Sequence, residues 1–171
     1  ELAKAAQKAN NILGVTDLQL KSLPDNRMDS LDRLEIIKLL EEVINVLKPE
    51  IVYTHHAGDL NIDHRMTHEA VVTACRPIPG QVVKKLLFFE VASSTEYQVA
   101  GTFQVFNPNW FVDISKTLSL KLEALGAYQS EMRAWPHARS LKSLEALANW
   151  RGASIGVEAA ESFMLGRYID S

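Results

Sequence analysis

Four of the chain's five histidines, His55, His56, His64 and His68, fall within "THHAGDLNIDHRMTHEA", residues 54–70, with Asp59 and Asp63 among them. Imidazoles and carboxylates are the side chains that hold transition metals and move protons near neutral pH. His64 and His68 stand four residues apart, so a helix beginning by His64 would place both on one face. Such a pair is one way of holding zinc, but the segment reads "HRMTH" and contains no HExxH pattern. The other reading is a polar loop between a strand and a helix. In it Asp59 or Asp63 caps the helix and His68 sits half exposed on its surface.

Either reading needs a strand before the motif and a helix after it. "EIVYTH" is short, apolar and β-branched, as a buried parallel strand would be. "RMTHEAVVTACRP" follows as a helix stopped by Pro77. In open α/β sheets ligands bind beyond the carboxyl ends of the strands, which is where "HAGDLNIDH" would then lie.

The remaining elements alternate in the same way. A helical stripe of Leu2, Ala5, Ala6, Ala9, Ile12 and Leu13 opens the chain and stops at Gly14. "DLQLKSL" alternates apolar and polar residues and reads as a short strand, broken by Pro24, Asp25 and Asn26. Asp29 or Ser30 can cap a helix with the stripe Leu31 to Leu47. "QVVKKLLFFEVAS" reads as a strand and residues 110–114 as another. "KTLSLKLEALGAYQSEM", capped by Asp113 or Ser115, and "LKSLEALANWRGASIG" read as helices, and "EAAESFMLGRYI" as a closing strand. Strands alternating with helices predict an α/β fold with a sheet at least partly parallel, as one domain over 1–171.

Composition narrows the function. The chain has 171 residues, 18 basic and 21 acidic side chains and a formal charge of −3, which gives no basic surface for nucleic acid. Its single cysteine, Cys75, excludes an internal disulfide and a cysteine-rich zinc module. No apolar run approaches the roughly 20 residues of a membrane span, and "ELAKAAQKANNILG" has no signal-peptide centre. A cytoplasmic setting is expected. There is no GxGxxG, P-loop or GxSxG motif. Ser93 and Ser94, at a strand end, either touch a ligand or simply end the strand. His137 with Arg139 in "WPHARS" is either an anion or sugar contact or a capping loop.

Taken in order, "LPDNRMD", "PEIVYTHHAGDLNIDHRMTHEAVVTACRP", "FFEVASSTEY", "FNPNWFVDIS", "PHARS" and "RG-x-x-x-G-x-x-AE-x-F" resemble the PIG-L/LmbE-like zinc-dependent deacetylases of N-acetylglucosamine-type sugars. The resemblance implies a Rossmann-like three-layer α/β fold with a mostly parallel sheet. It implies zinc held by an N-terminal "HPDD"-type motif and by the last histidine of an "HPDH"-type motif. The second motif corresponds to Asn61-Ile62-Asp63-His64, which makes His64 the implied metal ligand. Catalytic roles are implied for Asp63, Asn61 and His137, and substrate contacts for Arg27, His56, Asp59 and Arg139.

Two departures accompany the likeness. No "HPDD" stands anywhere in this chain, so the expectation is a domain lacking its first strand and binding zinc poorly by itself. Asn61 replaces the first histidine of "HPDH", and an amide can donate a hydrogen bond but cannot deliver a proton. The implied reaction is zinc-assisted removal of acetyl from a small N-acetyl sugar or glycoconjugate, impaired in this chain. The alternative is a metal-free carbohydrate-binding or structural relative. Self-association into a homo-oligomer is left open.

Overall fold

The computed structural model describes residues 1–170. In chain order the elements are α1 (Leu2–Leu13), a 3-10 turn (Met28–Ser30), α2 (Arg33–Leu47), β1 (Ile51–His55), α3 (Ile62–Ala74), β2 (Lys85–Phe89), β3 (Trp110–Asp113), α4 (Leu118–Gly126), α5 (Leu141–Ala153) and β4 (Ala160–Tyr168). They divide into two compact units, one of residues 1–22 and 111–161, the other of residues 23–110 and 162–170. No helix among the described residues is long and apolar enough to cross a membrane.

The strands form one sheet in the order β1-β2-β4-β3. β1 and β2 run parallel with His55 opposite Phe89, whereas β2 and β4 run antiparallel with Phe89 opposite Phe163. Asn109 N–H donates to the Phe163 carbonyl and Ile114 N–H to the Ala159 carbonyl, so β3 and β4 are antiparallel as well. The expectation of a mostly parallel sheet is therefore corrected: the fold is mixed α/β with a mostly antiparallel sheet. Apolar runs report that a strand is buried and say nothing of its direction. "DLQLKSL" is not a strand. Alternation predicts a pleated face, but a strand exists only where a neighbour completes its hydrogen bonds.

The second unit carries the residues singled out above. α2 begins at Asp32, whose carboxylate accepts from Leu34 N–H at 2.9 Å, rather than at Asp29 or Ser30. α2 and α3 pack through Met28, Ile36, Ile37, Ala70 and Ala74. α3 and β2 meet through Val71, Cys75, Val83 and Leu86, which places the lone cysteine in the core as a small apolar residue. A Cβ at Gly166 on β4 would lie 2.5 Å from the Phe88 ring, so the ring packs in the space that glycine leaves.

In the first unit, α1 ends at Gly14 with φ 73°, whose N–H caps the last carbonyls, a left-handed end that glycine adopts at no steric cost. Ile114, Ala148 and Ala159 form its core with Leu118 against it. α5 is capped by Ser140, which accepts from Ser143 N–H at 3.1 Å. His137 Nδ1 accepts from Arg139 N–H at 3.0 Å, and the Arg139 guanidinium pairs with Glu131 at 2.6 Å.

Candidate active site

Because β1 and β2 are parallel, the chain leaves both at the same sheet edge. The loop of residues 56–61 therefore meets the segment that follows β2. Asp59 is the centre of this meeting. It has no exposed surface and its carboxylate accepts from Asn61 N–H at 2.9 Å, from Thr95 Oγ1 at 2.8 Å and from Ser94 Oγ. His64 Nδ1 lies 3.1 Å from the same carboxylate. Burial alone would raise the Asp59 pKa; the hydrogen bonds from His64, Ser94, Asn61 and Thr95 outweigh it and hold the group at about 2. Asp59 is thus ionised at neutral pH, with donors on every side.

An ionised carboxylate at Nδ1 makes that nitrogen the donor and leaves Nε2 as the nitrogen His64 can offer to a ligand. The His64 ring is only about a fifth exposed. The His55 ring stacks on its face, with centroids 4.2 Å apart and planes 19° apart. Burial, with His64 and His68 nearby, pushes His55 down to about 4, so it is neutral. His68 Nδ1 lies 2.8 Å from the His55 carbonyl and so must donate to it, with its ring edge-on to Phe88.

The other residues of the motif build the loop. Asn61, not an aspartate, caps α3: its side-chain oxygen accepts from Asp63 N–H at 2.8 Å. Asp63 faces the segment before α2, accepting from Asn26 N–H at 2.6 Å and Met28 N–H at 2.9 Å. His56 is 1% exposed; its Nε2 donates to the Gln104 carbonyl at 2.8 Å and its edge meets Phe106. Gly58 lets that segment approach, since a Cβ would stand 2.0 Å from the Gln104 oxygen. Arg65 reaches back to the carbonyls of Asp59 and Leu60 at 2.8 and 2.6 Å. Arg27 is exposed, and its carbonyl accepts from Ser30. The structure therefore brings Asp59, Asn61, Asp63 and His64 together around one turn. His56 stands behind that turn, and His137 and Arg139 belong to the first unit.

Sequence reasoning undervalued Ser94 and Thr95 and passed over His55 as an individual residue. The available signal was position: "SST" follows β2 at the edge to which a parallel β1 delivers "HAGD".

The donor set does not amount to a zinc site. His64 is prepared as one nitrogen ligand with a carboxylate behind it, the arrangement that metal-binding histidines favour. Among the described residues, however, no group of three or more His, Cys, Asp or Glu side chains is placed to hold a metal.

Comparison with known proteins shows what the chain is similar to. Residues 2–75 match the family model PIG-L, described as GlcNAc-PI de-N-acetylase. Over residues 2–75 the chain is thus similar to the PIG-L, LmbE-like deacetylases. Among individual proteins, it is 27% identical over 129 residues to the probable N-acetyl-alpha-D-glucosaminyl L-malate deacetylase 2 of Bacillus anthracis, covering 75% of this chain and 54% of that protein. The chain thus spans about half the length of this curated relative. The fold is similar to that of a conserved protein, TT1542, from Thermus thermophilus, with a TM-score of 0.76 and 22% identity over 99% of this chain and 74% of the other. It is similar too to the N,N'-diacetylchitobiose deacetylase of Pyrococcus horikoshii, with a TM-score of 0.74 and 18% identity over 96% and 62%.

Proposed function

We propose that this chain belongs to an N-deacetylase that releases acetate from an N-acetylated amino sugar, with the turn between β1 and α3 at its reacting centre. The observation that carries the reading is the buried, ionised Asp59 holding His64 by Nδ1 at the carboxyl edge of two parallel strands. A carboxylate is expensive to bury, and this one is held by four donors of which His64 is the only side chain with a second nitrogen to offer. A purely structural turn has no need of a titratable ring there. The match to a de-N-acetylase family and the likeness to a probable N-acetylglucosaminyl malate deacetylase support the sugar substrate.

Hydrolysis of an N-acetyl group adds water to an amide carbonyl and expels an amine, so it needs an electrophile for the oxygen, a base for the water and a proton for the nitrogen. Zinc is the cofactor the resemblance implies; His64 Nε2 is the one nitrogen this turn would offer it, and the described residues do not complete a site around it. The chain's own contribution is structural at this step. Asp59 fixes the tautomer and the edge of His64, Ser94 and Thr95 fix Asp59, and Asn61 fixes the start of the helix that carries His64.

The test is amine release from N-acetylglucosamine derivatives by the purified protein, with the metal determined by elemental analysis. Release that disappears in His64→Ala supports the reading. Binding of N-acetylated sugars without any release, unchanged by added zinc, would favour a carbohydrate-binding relative instead.

A further inference from the structure

We propose that His55 is a positioning residue for His64, its ring forming the fixed wall that stops the His64 imidazole from swinging out of plane. The inference rests on the reading of His64 as the functional imidazole. Asp59 holds His64 at one point, Nδ1, and the chain holds it at another, Cβ. The ring turns about its Cβ–Cγ bond, and the contact at Nδ1 restrains that turn at one atom only. A single 3.1 Å hydrogen bond selects the tautomer and sets the ring's rough orientation, but it tolerates tilting that a flat neighbour would stop.

The missing restraint is a flat surface against the ring, and His55 supplies it at 4.2 Å and 19°. His55 is itself well fixed. It closes β1 opposite Phe89, its ring leans on the Phe89 ring at 4.7 Å, and its carbonyl is held by His68 Nδ1 at 2.8 Å. Its own Nδ1 is buried and has no hydrogen-bond partner among the described residues, so that nitrogen anchors nothing. The feature of His55 that the site uses is its face.

The experiment compares His55→Phe, which keeps a planar face, with His55→Leu, which keeps an apolar volume of similar size without one. The imidazole nitrogens of His64 are followed by nitrogen-15 NMR, beside steady-state hydrolysis of an N-acetylglucosamine derivative. In His55→Phe, His64 should keep a single sharp Nδ1–H tautomer and kcat should remain within a few-fold. In His55→Leu the His64 signals should broaden or split, and kcat should fall by about 10–100-fold, as for loss of an outer-shell partner, with KM little changed. The backbone amide spectrum shows that each variant is folded, and His55→Met replaces His55→Leu should the latter not fold. Unaltered His64 signals in the non-aromatic variant would overturn the proposal, as would a His55→Phe variant as disturbed as His55→Leu. If even the unaltered protein hydrolyses nothing, the functional reading fails while the His64 spectra still decide the role of His55.

Discussion

His64 Nδ1 stands 3.1 Å from an Asp59 carboxylate that has no exposed surface. The two residues lie on opposite sides of the α3 cap. The pair exists because the turn folds Asp59 under the helix while Ser94 and Thr95 close over it.

Asp59 should therefore tie stability to pH. Its folded pKa of about 2 lies below its ordinary 3.8, so its contribution is present above about pH 4 and is lost as pH falls through 2. At 1.36 kcal/mol per unit the contribution is on the order of 2 kcal/mol. Urea unfolding of the protein and of Asp59→Asn between pH 2 and 6 should show a stability gap that is constant above pH 4 and narrows below it. A gap independent of pH would mean that Asp59 is protonated or unbonded in the folded protein.

Asp63 holds two backbone N–H groups, those of Asn26 and Met28, and so pins the segment before α2 to the start of α3. Asp63→Ala should leave both donors without this acceptor and cost about 1–3 kcal/mol. Asp63→Asn keeps one acceptor oxygen and should cost less. Hydrogen exchange at Asn26 and Met28 should accelerate in the alanine variant, while exchange in the middle of α2 stays slow.

Gly58 offers a steric test of the turn. A Cβ would stand 2.0 Å from the Gln104 oxygen and 2.8 Å from His56 Nε2, and a backbone oxygen has little room to retreat. Gly58→Ala should lower stability by about 1–3 kcal/mol and free the segment around Gln104. Gly80→Ala, where a Cβ meets nothing but φ is 88°, gives a strain-only comparison. Proteolysis near Gln104 should quicken in Gly58→Ala alone.

The reach of sequence reasoning follows from the range of each interaction. The helices, β1 and the polar turn after it were legible, because apolar periodicity and the residues that cap and stop helices are local. Even there the caps slipped: Asp32 replaced Asp29 or Ser30, and Asn61 replaced the neighbouring aspartates, since all are competent acceptors and backbone geometry chooses among them. Which aspartate supports His64 was not legible. Asp59 and Asp63 both lie close to His64 along the chain, and the choice is made by Ser94 and Thr95, whose hydroxyls reach Asp59 from 35 and 36 positions away. The antiparallel placement of β4 was hidden for the same reason, as strand direction is fixed by pairing and leaves no mark on the pattern of a single strand.

His64 and His68 provide the sharpest contrast, because spacing alone treats them alike. The structure separates them. His64 has its Nδ1 on a buried carboxylate and its face on His55, leaving Nε2 as the nitrogen it can offer to a ligand. His68 spends Nδ1 on the His55 carbonyl and rests edge-on to Phe88, and burial keeps its pKa low. Its role is to hold the end of β1. His64→Ala should therefore reduce amine release from an N-acetylglucosamine derivative by more than the roughly 10–100-fold typical of an outer-shell loss, and should also cost about 1–3 kcal/mol of stability through the donor taken from buried Asp59, so that activity is compared at a temperature where the variant is folded. His68→Ala should cost about 1 kcal/mol of stability through the lost hydrogen bond and keep most of the activity at a temperature where it is folded. Measuring hydrolysis and thermal unfolding on both variants separates the outcomes. Should His68→Ala abolish release in a fully folded protein while His64→Ala preserves it, the reacting centre lies on the other side of α3 and the assignment of His64 falls.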